Sequence, residues 1–141
     1  MKDIHFEGFA MDTEGTNTHR HRMAGAEIVT ARSLDETSIL FSRRLTLADI
    51  IPFYTQDILV LEGVSETGIP MILTAHVESE LIEKDTPDVF AVSGKIAADI
   101  SEYRGLPAID ATSDIKELAD LIEEKVGHWE ENQFVEKNQH E

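Results

Sequence analysis

The chain has 141 residues, with 28 Asp and Glu against 12 Lys and Arg and a formal charge of −16. That balance argues against the clustered basic surface that displaces counterions from nucleic acid, and equally against a surface made for anionic membranes. With no cysteine and no apolar run near the ~20 residues of a membrane span, disulfides, thiolate metal sites and a transmembrane helix are excluded as well.

In chain order, Thr18–Gly25 predicts a short helix that Gly25 ends. Ala26–Ala31 and Thr37–Ser42 are short β-branched runs, and SLDE at 33–36 can close them into a hairpin. Thr46 with Asp49 has the form of a capping box, leading into Leu47, Ile50 and Ile51 before Pro52 stops or kinks the helix. Asp57–Glu62 (DILVLE) is apolar between its charged ends, which predicts a strand buried on both faces of a parallel sheet. Pro70–Ala75 and Asp88–Ser93 predict two more strands, the second also buried on both faces.

Asp114 and Glu117 mark the start of a last helix, with Ile115, Leu118, Ile122 and Val126 on one face. Lys116, Asp120, Glu123 and Glu124 form its solvated face. The tail 128–141 is polar apart from Trp129, Phe134 and Val135. Strands outnumber helices for a doubly wound sheet, which alternates the two. A strand–loop–helix unit missing from the N-terminal side would account for the shortage.

Ligands of such sheets bind beyond the carboxyl ends of the strands, which is where Glu62 falls. A carboxylate there can hold magnesium or orient water beside phosphates, and Gly63 lets backbone approach a ligand or simply turn. Yet no G-x-x-x-x-G-K-[ST] loop occurs in the chain. Arg20 and His21 lie in THRHR (18–22), a concentration of positive charge in an acidic chain. An Arg can fork onto phosphate and a His can orient a ligand or move a proton, so this pair is the candidate anion site; the alternative is a basic helix offsetting neighbouring acids. His5, His19 and His21 make no metal set, because no third ligand has a telling spacing.

Three segments together resemble the molybdopterin-guanine dinucleotide biosynthesis protein B (MobB) family: FAMDTEGTNTHRHRMAGA (9–26), DILVLEGVSETGIP (57–70), and PDVFAVSG with LPAIDATSDIKELADLIEEKV near the end. The likeness runs from about Phe9 to Val126 and rests on the order and spacing of the pieces. It implies an α/β, P-loop-NTPase-like (Rossmann-like), mostly parallel sheet. Relative to the family the sheet lacks its first strand, P-loop and helix, and carries a β-hairpin and a C-terminal helix. Residues 1–127 are then expected as one truncated domain and 128–141 as a polar tail. Asn17 and Thr18 replace the family's Asp-Ser pair, and Val64 follows the Walker B glycine.

The resemblance implies an accessory or adapter role in molybdenum (or tungsten) cofactor biosynthesis, without independent GTPase activity. The alternative is a non-enzymatic α/β interaction subunit with no nucleotide site. A third reading is a small enzyme using Glu62 and His21 as acid and base. Tentative ligand residues are Arg20, His21, Glu62 and Gly63, with Glu62 as the magnesium ligand if GTP and Mg bind with a partner's P-loop. Expected partners are a second copy in a homodimer or a molybdenum-cofactor nucleotidyltransferase, with neither nucleic acid nor membrane. The N-terminal MKDIHFEG has no apolar h-region, so a cytoplasmic location is expected.

Overall fold

A computed structural model describes residues 1–64 and 66–128. The chain divides into two compact units, Met1–Val64 and Ser65–Glu141. The expected tail residues Trp129, Phe134 and Val135 lie outside the described residues.

In the first unit, α1 (Asn17–Met23) begins at the N-cap Thr16, whose hydroxyl accepts from the His19 amide. It ends in a Schellman closure. Gly25, at φ +96, donates to the Arg22 carbonyl at 2.9 Å, and Ala26 donates to the His21 carbonyl at 3.1 Å. Strands β1 (Ile28–Arg32) and β2 (Thr37–Phe41) pair antiparallel, Ile28 opposite Phe41 and Arg32 opposite Thr37. Ser33 makes the turn, its amide on the Glu36 carbonyl and its hydroxyl accepting from Asp35 and Glu36. The expected hairpin therefore forms, through side-chain hydrogen bonding of Ser33. Helix α2 (Leu47–Ile50) carries the complete capping box of Thr46 and Asp49, and Pro52 passes it into a 3-10 turn at Ile51–Phe53. Val29 and Leu47 are buried in this unit.

The stretch 57–62 departs from expectation. It is no doubly buried strand: Ile58 is 51% and Val60 71% exposed, and its ladder is a single parallel bridge between Lys2 and Glu62. An apolar run reports what a segment could bury, and neighbours on both faces decide whether it does.

The second unit is built on β3 (Met71–Thr74) and β4 (Val89–Ser93), paired parallel with an irregularity after Met71. Helix α3 (Glu78–Lys84) is the crossover between them and was not predicted. Its sequence ESELIEK offers one buried residue, Leu81, and so little periodicity to read. It corrects the apparent shortage of helices, since parallel neighbours require such a crossover.

Leu81 and Val92 are fully buried, clustered with Leu73, Ala75, Val89, Ile96 and Tyr103. Strand β4 is buried almost throughout, as expected. A small hairpin follows, β5 (Glu102–Tyr103) and β6 (Leu106–Pro107). Its Arg104 and Gly105 both have positive φ, +51 and +82, as a two-residue type I′ turn demands. Arg104 is held there by an ion pair with Asp85 and by stacking over the Tyr103 ring, 5.2 Å from its centroid. Ala108 then forms a parallel bridge to Val92. Helix α4 (Ile115–Lys125) appears where the apolar spacing placed it, with no fully buried residue. The α/β class is thus borne out, its parallel pairing concentrated in the second unit.

Candidate functional site

Four consecutive basic residues fall on α1, and local structure gives them different fates. His19 accepts at Nδ1 from the Gly15 amide, 3.4 Å away. Arg22 is drawn toward Asp12, with Nη1 3.8 Å from Oδ2. Arg20 and His21 are exposed, and neither has an ion pair or side-chain hydrogen bond among the described residues. On this helix these two basic side chains are the ones exposed to a ligand.

Asp12 was not singled out from the sequence. It precedes the helix, and its side chain is only 6% exposed. Oδ1 accepts from the Thr18 hydroxyl at 2.7 Å and the Thr16 hydroxyl at 3.0 Å. The Thr18 hydroxyl is the main reason that its carboxyl lies below the usual carboxylate range; Thr16, the Thr13 amide and Arg22 add to this, against the opposing effect of burial. The readable signal was an Asp with hydroxyl residues four and six positions later, ahead of an N-cap.

Glu62 and Gly63 stand elsewhere in the same unit. The Glu62 amide donates to the Met1 carbonyl at 2.9 Å, and its carbonyl accepts from Asp3 at 2.8 Å. Its carboxylate lies 2.6 Å from Lys2 Nζ and is 66% exposed. Gly63 has φ +76, and a Cβ there would come within 3.0 Å of the Asp3 carbonyl. The Gly63 carbonyl pairs with His5 Nε2. Conformation and the nearby Asp3 therefore account for glycine here without a ligand. Among the described residues no hydrogen bond or ion pair joins Arg20 or His21 to Glu62 or Gly63.

Magnesium is commonly held by one or two carboxylates together with phosphate and water, and Glu62 offers one carboxylate, paired with Lys2. The neighbouring Asp3 carboxylate is engaged by Arg44 at 2.8 Å, and the described residues hold no group of three or more His, Asp or Glu arranged for a metal.

In the second unit the carboxyl ends of the parallel segments carry polar residues that sequence reading passed over. Gly94, at φ +85, follows β4 so closely on Ala75 that a Cβ would lie 2.8 Å from its carbonyl. Exposed Lys95 comes next. The Ser93 hydroxyl, buried, donates to the Ile109 carbonyl at 2.7 Å. Asp110 follows, its carboxyl held below the usual range first by the Thr112 amide, then by the Thr112 hydroxyl. Ser93 and Asp110 are thus taken up by local hydrogen bonds, to the Ile109 backbone and to Thr112.

No helix among the described residues is long and apolar enough to cross a membrane. The fold matches two solved structures of Bacillus subtilis MobB. One has a TM-score of 0.62 and 20% identity over 78% of this chain and 74% of the other. The second has a TM-score of 0.65 and 21% identity, over 91% and 78%. A curated relative, the probable molybdopterin-guanine dinucleotide biosynthesis adapter protein of Bacillus subtilis strain 168, is 24% identical over 102 residues, 70% of this chain. The chain spans 59% of that relative's length. The family model for molybdopterin guanine dinucleotide synthesis protein B matches residues 2–95, which include the basic helix and the Glu62–Gly63 turn. Sequence resemblance, fold and family model agree, and the chain belongs to the MobB family.

Proposed function

We propose that this chain is an accessory, adapter-type protein of molybdopterin-guanine dinucleotide biosynthesis, and that alone it does not turn over GTP. The match of residues 2–95 to the MobB family carries the reading. The name of the curated relative, an adapter protein of the same pathway, supports it. The absence of a G-x-x-x-x-G-K-[ST] loop from these 141 residues supports the second half, because phosphoryl transfer rests on a phosphate cradle and its lysine.

In this reading the exposed Arg20–His21 pair meets an anionic group of the cofactor or nucleotide, Arg20 as a planar fork and His21 beside it. A molybdenum-cofactor nucleotidyltransferase performs the chemistry, and GTP is bound with that partner. The test is a reconstituted transfer of the guanine nucleotide to molybdopterin by the transferase, with and without this chain. A raised yield or rate that requires Arg20 and His21 is expected. Identical time courses, together with no association between the proteins in sedimentation, would overturn the proposal.

A further inference from the structure

We infer that Asp12 is a positioning residue, one carboxylate that clasps both ends of α1 and so fixes the direction in which Arg20 and His21 are presented. The inference rests on the anion-binding role proposed for that pair. Helix α1 has seven residues, none of them buried. A helix so short is marginal in water by itself, and hydrophobic burial holds this one weakly.

Polar contacts supply the hold instead. At the start, Asp12 Oδ1 takes the hydroxyls of Thr16 and Thr18, the N-cap and a residue of the first turn. At the other end, Asp12 Oδ2 faces Arg22 of the last turn. Arg20 and His21 lie between the two points of attachment. The clasp also divides the charges: Arg22 is matched locally by Asp12, leaving Arg20 and His21 as the outward pair.

The clasp has slack. Asp12 Oδ2 and Arg22 Nε are both buried without a hydrogen-bond partner. Buried polar atoms are nearly always paired, and these two groups face each other at 3.8 Å, beyond the ~2.7–2.9 Å of a charge-assisted bond. Closing that gap, which runs from Arg22 Nη1, gives Asp12 Oδ2 its partner and draws the last turn toward Asp12. Breaking it by removing one partner leaves the other buried and uncompensated, which is the costly case.

The experiment uses the full chain and inorganic pyrophosphate as the probe, with calorimetry for binding and amide exchange for α1. Asp12→Ala is expected to weaken pyrophosphate binding at least tenfold and to abolish protection of the Arg20 and Ala26 amides, while protection of the Leu81 and Val92 region is unchanged. Asp12→Asn, which keeps an acceptor for the hydroxyls but leaves Arg22 unmatched, is expected to be intermediate. The double change Asp12→Asn with Arg22→Met removes the unmatched charge and is expected to recover part of both signals. Unchanged α1 exchange in Asp12→Ala would overturn the positioning role whatever the binding result. If the parent binds no pyrophosphate but α1 loses protection in Asp12→Ala, the clasp stands and the anion role of Arg20 and His21 is what fails.

Discussion

Lys2 and Glu62 are joined twice: their backbones form a parallel bridge, and Lys2 Nζ lies 2.6 Å from Glu62 Oε1. The carboxylate that sequence places beside a nucleotide is thus held by a lysine of its own chain. Purified protein is expected to show no magnesium-dependent GTP hydrolysis, measured as phosphate release. Turnover that disappears in Glu62→Gln would restore an enzymatic role. Being exposed, the ion pair is worth at most about 1 kcal/mol, so Glu62→Gln should leave the melting temperature almost unmoved.

The double change Arg20→Ala, His21→Ala should abolish binding of phosphate or pyrophosphate while costing little stability. Both residues are exposed, and surface substitutions of this kind fall within about ±0.5 kcal/mol. Calorimetric titration beside a thermal melt separates the two effects. Retained binding would reduce the basic cluster to charge compensation for the acidic chain.

How far the sequence led depends on which signals were local. Thr46 with Asp49, and Ser33 with Glu36, specify their structures through bonds within a few residues, and both were readable. The stripe of Ile115, Leu118 and Ile122 has a period that only a helix satisfies. Residues 57–62 failed because apolarity is a demand for cover, and cover comes from elsewhere in the chain. Helix α3 was missed because Val77, Leu81 and Ile82 make too short a stripe to register against the acidic residues around them. In the candidate site, Arg20 and His21 stood out as charge, whereas Asp12 was one acid among 28 and became distinctive only when its side chain proved buried.

Ile58 and Val60 lie half or more exposed beside a single parallel bridge. Exposed apolar residues at an incompletely paired edge favour pairing with another chain. The protein is expected to be a homodimer at micromolar concentration, or to bind the transferase proposed above as a partner through this segment. Light scattering should give twice the 15.8 kDa chain mass, and Val60→Lys should return it to that mass. A parent that is already monomeric, with Ile58 and Val60 amides protected from exchange, would contradict this.

Acid should weaken the second unit through Asp110. Its carboxyl lies below the usual range in the folded chain, chiefly because the Thr112 amide and hydroxyl bond the charged form. A depressed folded value means stability that is complete above the unfolded value, about pH 3.9, and is lost as pH falls through the folded one. Asp110→Asn should lower the urea midpoint at pH 7, and the gap from the parent should narrow below pH 4. A constant gap across that range would show that ionisation of Asp110 contributes nothing.

The β3–α3–β4 unit has a consequence in time as well as in space. Its parallel pair closes over one short crossover, and its core residues Leu73, Leu81, Val89 and Val92 are near neighbours in sequence. The β1–β2 hairpin closes a shorter loop, but the cluster of buried side chains lies here and its burial offsets the entropy of closure, so this unit is expected to form first. Leu81→Ala, which should cost about 2–5 kcal/mol at a fully buried site, is then expected to slow refolding. Val29→Ala in the hairpin of the other unit should mainly hasten unfolding. Stopped-flow chevrons of the two variants would reveal that order, and the reverse pattern would place the nucleus in the hairpin.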